Sequence, residues 1–280
     1  PGLAAYSVAP STAVDANGVL GLYLTEQRVA HTTGTDVVSG THAGVLYAVG
    51  ATVNASGGGH NAGRNVYRIV GGVATLVGTG AADEDRLATP AAVATTRFPR
   101  PVFAETEALL VIAGGAEIGK IDIRPETYSA PNFTNPNPDR HEMSFLAGCP
   151  PFASHVFCNS SRICANDTQL DQTKIRFSDI SQGITDFSGH ESWAPSPGAA
   201  GFVTAEARAD SIVSCAENTN DIFLFGRTSL QLMAPDSSTT FAPTITKEVG
   251  ALAAYSPAKY DDKYVWLDHK TRFISSDGRS

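Results

Sequence analysis

Apolar residues recur along this chain in short runs, each closed by Gly, Asp or Asn. Val45-Leu46-Tyr47-Ala48-Val49 ends at Gly50, and Asn65-Val66-Tyr67-Arg68-Ile69-Val70 ends at Gly71-Gly72, with Val73-Ala74-Thr75-Leu76-Val77 directly behind it. Two alternating runs joined by a Gly pair spell a hairpin, because Gly enters positive φ without steric cost. A second such hairpin is predicted from Ala108–Ala113 through Gly114-Gly115 to Ile118–Ile123. Further strands are predicted at Lys174–Phe177, Ile212–Cys215, Ile222–Phe225 and Tyr264–Leu267. No window of a dozen residues carries a sustained i, i+3, i+4, i+7 apolar pattern free of breakers. Ala199–Ala209 comes nearest to a helix, against the preference of its β-branched and aromatic residues. Ala55–Gly63 reads as a long hairpin tip. Ala130–His141, with Pro131, Pro136 and Pro138, reads as a long surface loop or a seam between two halves.

Many short strands with turns between them, and no alternation with helices, predict an all-β fold and exclude a parallel α/β sheet. Runs that end on an aromatic and then Gly (Tyr47…Gly50, Tyr67…Gly71, Phe225-Gly226) repeat at blade-like spacing. The expectation is a β-propeller-like body over residues 1–280, with short antiparallel blades, long surface loops and little helix. The start at Pro1-Gly2-Leu3 and the turn-like end at Ser275–Ser280 read as trimmed relative to a longer gene product.

Composition supports a packed core: hydrophobic residues are 42% and charged residues 17%, too apolar for disorder. The formal net charge is −8, and Lys and Arg form no block. A surface that grips nucleic-acid phosphates needs clustered cations, so that function class is excluded. No apolar stretch is long enough to span a membrane. The four cysteines, Cys149, Cys158, Cys164 and Cys215, lack the paired spacing of a zinc site. They are expected to be free thiols, with a Cys158–Cys164 disulfide as the alternative.

Several motifs invite chemistry. Gly114–Lys120 matches the G-x-x-x-x-G-K phosphate loop, but Ile121 stands where Ser or Thr would hold magnesium, and Ile121-Asp122-Ile123 alternates like a strand. The hairpin explains all of these features together. Gly189-His190-Glu191-Ser192-Trp193 sets His, Glu and Ser side by side, whereas a triad needs them to converge from separate segments. His60, His141, His155 and His269 share no ligand spacing, and Asp83-Glu84-Asp85 and Asp261-Asp262 lack the alternation of a calcium loop. Asn54, Asn132, Asn159 and Asn166 begin glycosylation sequons, which matter only on a secretory route. We assign no catalytic, cofactor-binding or metal-ligating residue and no cofactor. A glycosidase or sialidase-like propeller stands as the enzymatic alternative, although Ser275-Ser276-Asp277-Gly278 has the wrong gap for the sialidase blade turn. A secreted carbohydrate-binding propeller is the other.

The blocks also keep a recognisable order. They begin with Pro1-Gly2-Leu3, Gly18–Tyr23, Val45–Gly50, Val66-Tyr67-Arg68 and Leu76-Val77-Gly78. Ile175–Ile180 with Phe187, Phe202–Ala209 and Asp210-Ser211-Ile212 follow. The series closes with Ile222–Ser229, Phe241, Gly250, Ala254-Tyr255-Ser256 and Tyr264–Leu267. In this order the chain resembles the packaged-DNA stabilisation proteins of short-tailed phages, the tail-hub or nozzle subunits. Cys149–Asn166 has no counterpart in the resemblance. The resemblance implies a structural virion protein, assembled in the bacterial cytoplasm as a homo-hexameric ring below the portal and its adaptor. Such a ring extends the DNA channel, helps retain the genome, and carries the tail needle or fibres. Genomic DNA would pass through it without sequence-specific binding, and an acidic wall suits the passage of a like-charged polymer.

Overall fold

A computed structural model describes residues 19–25, 32–33, 36–37, 44–51, 64–70, 73–77, 100–115, 117–124, 143–166, 171–181, 187–195, 200–205, 210–218, 221–235 and 241–278. The segments singled out at 55–63, 71–72, 83–85 and 130–141 lie outside them, as do His60, Asn54 and Asn132. The chain divides into two compact units, Pro1–Phe145 and Leu146–Ser280.

The first unit holds two antiparallel meanders. Sheet 1 begins with β1 (Val19–Leu24); after a short ribbon of β2 (Thr32–Thr33) and β3 (Asp36–Val37) it continues through β4 (Leu46–Ala51), β5 (Arg64–Val70) and β6 (Val73–Leu76). Sheet 2 is β7 (Val102–Glu105), β8 (Leu109–Ala113), β9 (Gly119–Asp122) and β10 (Met143–Phe145). Side chains alternate between the two faces of a strand. One face of sheet 1 (Tyr47, Val49 and Val66) therefore packs on Leu110, Ile112, Ile121 and Met143 of sheet 2. Tyr23 stacks on Phe103 with centroids 5.3 Å apart.

The second unit stacks three sheets. Sheet 3 is β11 (Val156–Asn159), β12 (Arg162–Asn166), β13 (Lys174–Phe177) and β14 (Gly201–Thr204). Sheet 4 is β15 (Ile212–Asn218), β16 (Asp221–Gly226), β17 (Leu230–Pro235) and β18 (Phe241–Lys247). Sheet 5 has three strands, β19 (Ala258–Tyr260), β20 (Lys263–Leu267) and β21 (Phe273–Ser276). β16 explains why its sequence, Ile-Phe-Leu-Phe, shows no polar alternation. Ile222 and Leu224 pack with Phe157, Cys164, Ile175 and Phe177 of sheet 3. Phe223 and Phe225 turn the other way, onto Tyr264 and Trp266 of sheet 5. A strand covered on both faces reads as one continuous apolar run, and each buried Phe or Leu adds about 2 kcal/mol of burial.

The fold is all-β and β-propeller-like, built of short antiparallel blades of three or four strands. Among the described residues helix is limited to one 3₁₀ turn, Ser188–Glu191. The predicted strands at 174–177, 212–215, 222–225 and 264–267 are all present, some lengthened at an end. The helix considered for Ala199–Ala209 is corrected: its described part is β14, paired with β13 through Ile175 opposite Val203. Cross-strand pairing there outweighs local helix preference. Cys149–Asn166, which the resemblance left blank, supplies the β11–β12 hairpin.

Candidate functional site

The false phosphate loop is the β8–β9 hairpin. Gly114 sits at φ 107°, Ile112 pairs with Gly119, and Val111 pairs with Lys120. Lys120 thus belongs to a ladder strand, with no helix behind it to face a phosphate. Gly189–Trp193 is likewise architectural. His190 N–H donates to Phe187 O, Asp179 N–H donates to Ser192 O, and Trp193 Nε1 donates to His190 O (3.0 Å). His190 is buried, which lowers its pKa to about 4.

The densest polar cluster surrounds His155, a residue the sequence gave no reason to single out. Asn166 Oδ1 accepts from the N–H groups of Ser154 (3.0 Å) and His155 (2.9 Å), and Asn166 Nδ2 donates to Ser154 Oγ (2.9 Å). Ser154 Oγ lies 2.9 Å from His155 Nδ1, and His155 Nε2 lies 2.9 Å from Ala254 O and 3.2 Å from Ser214 Oγ. A carbonyl oxygen only accepts, so Nε2 carries the proton and Nδ1 accepts from Ser154. Nε2 then has no lone pair with which to take a proton from Ser214. Burial, partly opposed by the bond to Ala254, lowers the His155 pKa to about 4. Such an imidazole is a weak base near neutrality, and Ser154 is not activated by it. The ring also stacks on Tyr255, centroids 5.2 Å apart. His155 therefore joins sheet 3, β15 of sheet 4 and the segment leading to sheet 5.

Carboxylates serve the turns in the same way. Asp210 Oδ2 accepts from Thr228 N (2.7 Å), Thr228 Oγ1 (3.1 Å), Ser229 N (3.0 Å) and Ser229 Oγ (3.1 Å), closing the β16–β17 turn. Burial alone would raise its pKa, but these donors hold it below the usual value. Asp122 pairs with Arg124 at 2.6 Å, both nearly buried. Arg162 Nη1 donates to Ser178 O (2.7 Å) while its guanidinium lies 5.2 Å from the centroid of Phe177. Among the described residues no three His, Cys, Asp or Glu side chains gather as a metal site, and no helix is long and apolar enough to cross a membrane.

All four cysteines are free, which corrects the disulfide alternative. Phe157 pairs with Cys164 and Cys158 pairs with Ile163, so Cys158 and Cys164 point to opposite faces of sheet 3 and cannot bridge. The sequon residues Asn159 and Asn166 are buried, so neither can accept a glycan.

What is left outward is apolar. Across sheet 1, Leu22 pairs with Ala48 and Leu24 with Leu46, which in turn pair with Tyr67 and Ile69, making one face without a charge. Leu22 and Leu24 are 60% and 65% exposed. The outer face of sheet 5 carries Tyr260, Val265, Leu267 and Phe273, with Tyr260 76% and Phe273 83% exposed. Large outward side chains on a sheet face mark a surface that meets another molecule or segment.

No family model matches this chain, and no curated protein matches it. Among solved structures it is similar to the computationally designed Ika4 protein, at TM-score 0.37 and 10% identity, over 62% of this chain and 88% of that one. It is also similar to the WD40 domain from Toxoplasma gondii coronin, at TM-score 0.45 and 10% identity, over 95% of this chain and 63% of that one. At these scores the likeness carries no argument about function, and the strand order itself defines the fold.

Proposed function

We propose that this chain is a structural subunit of a short-tailed phage tail hub, acting through packing surfaces rather than through a reacting site. The outward apolar faces of sheets 1 and 5 support this reading most, because they offer contact area while the polar clusters are used up within the fold. In this reading the subunit joins a hexameric ring below the portal and adaptor, extends the DNA channel and helps retain the packaged genome. The net charge of −8 suits a conduit that does not hold phosphates.

Mass photometry of the chain alone and with a portal–adaptor complex tests the reading. Ring-sized particles that dock on the complex are expected. A stable monomer that never joins it would sink the hub reading.

A further inference from the structure

Sheets 1 to 4 each have four strands, and sheet 5 has three among the described residues. The open edge of β21 can be read from two bonds. Asp268 N–H donates to Arg272 O (2.9 Å), and Leu267 O accepts from Leu252 N–H (2.9 Å) on the other side of β20. In an antiparallel ladder the N–H and C=O of one residue point the same way, and successive residues alternate. The hydrogen-bonded pairs are therefore Trp266 with Ile274 and Tyr264 with Ser276, which leaves the peptide groups of Phe273 and Ser275 pointing away from β20. No strand among the described residues pairs with that side. The Phe273 side chain stands beside it, 83% exposed.

We propose that β21 accepts a fourth antiparallel strand donated by a neighbouring copy of this chain. The inference rests on the ring reading above and names one of the contacts that would close the ring. Adding an extended segment to a free edge is a recurrent recognition mode, with main-chain bonds giving affinity and alternate side chains giving specificity. The size of the contact selects the donor. A strand as short as β21 buries on the order of a few hundred Å², well below the roughly 1,200 Å² of a stable interface. A free peptide would not stay bound. A neighbouring subunit holds its strand by other contacts and supplies it at high effective concentration. Passed round a ring, the exchange uses each copy once as donor and once as acceptor. The donor side chain opposite Phe273 would cover its ring.

Ser275→Pro is the discriminating variant. It deletes an N–H that points outward and spares the inward bonds of Ile274 and Ser276, a position where an edge strand tolerates proline. Assembly is followed by mass photometry across a dilution series, and amide exchange is measured on the unsubstituted chain, so the result does not depend on the variant folding. In the assembled state the amides of Phe273 and Ser275 are expected to exchange roughly 100-fold more slowly than in the diluted monomer. Ser275→Pro is expected to raise the assembly midpoint about tenfold or more. Rings in which these amides stay unprotected would overturn the strand donation and leave the hub reading standing. Amides already protected in the monomer would place the donor in the same chain and overturn it as well. A chain monomeric at every concentration, with both amides unprotected, would overturn both proposals.

Discussion

His155 is held neutral by burial, with every polar ring atom bonded. Its folded pKa of about 4 lies below the unfolded value of roughly 6.5, so between those two pH values the unfolded chain binds more protons. The stability this residue contributes is complete above pH 6.5 and is lost as pH falls toward 4, by roughly 3 kcal/mol in total. His190, lowered for the same reason, adds in the same direction. Thermal melts from pH 7.5 to pH 4 are expected to show a falling Tm, and His155→Gln should start lower and fall less steeply. An equal slope in both proteins would contradict the assignment. None of this was legible in the sequence, where His155 is one of seven scattered histidines. Its partners Ser154, Asn166, Ser214 and Ala254 come from separate segments, and only the stacking of sheets brings them together.

At the scale of the element, much was legible. The Gly114-Gly115 hairpin and the strands at 174–177, 222–225 and 264–267 follow from alternation and turn residues, because register and turn chemistry are local. β14 was not, because its pairing with β13 comes from a segment distant in sequence. Nor was the reason for Gly226. A Cβ there would lie 2.4 Å from Asp210 Oδ2 and 2.7 Å from its Cγ. Gly226→Ala is therefore expected to push that carboxylate off the Thr228 and Ser229 donors and cost about 2 kcal/mol. Urea unfolding measures the loss, and a midpoint shift within error of zero would show that the Asp210 clasp gives way without cost. In a double substitution with Asp210→Ala the two losses should be strongly non-additive, because both remove the same bonds.

At the scale of the whole molecule, each of the two units, Pro1–Phe145 and Leu146–Ser280, contains its own sheet-on-sheet core. Residues 146–280 expressed alone are thus expected to keep a β-type circular dichroism spectrum and to melt cooperatively, as a unit with its own buried layers should. A spectrum of unfolded chain would show instead that this core depends on the first unit. Alternation, Gly-closed turns and low charge, by themselves, determined that the chain makes short antiparallel strands with a packed interior and no phosphate loop at Gly114–Lys120. Those features depend on neighbouring residues, so a linear reading reaches them. Only the tertiary structure decided which face of each strand is covered. It also decided that Cys158 and Cys164 point apart, that His155 is neutral, and that Phe273 on β21 is left outward beside an open edge. Those depend on which sheets meet, and burial and pairing across long stretches of sequence have no local signature.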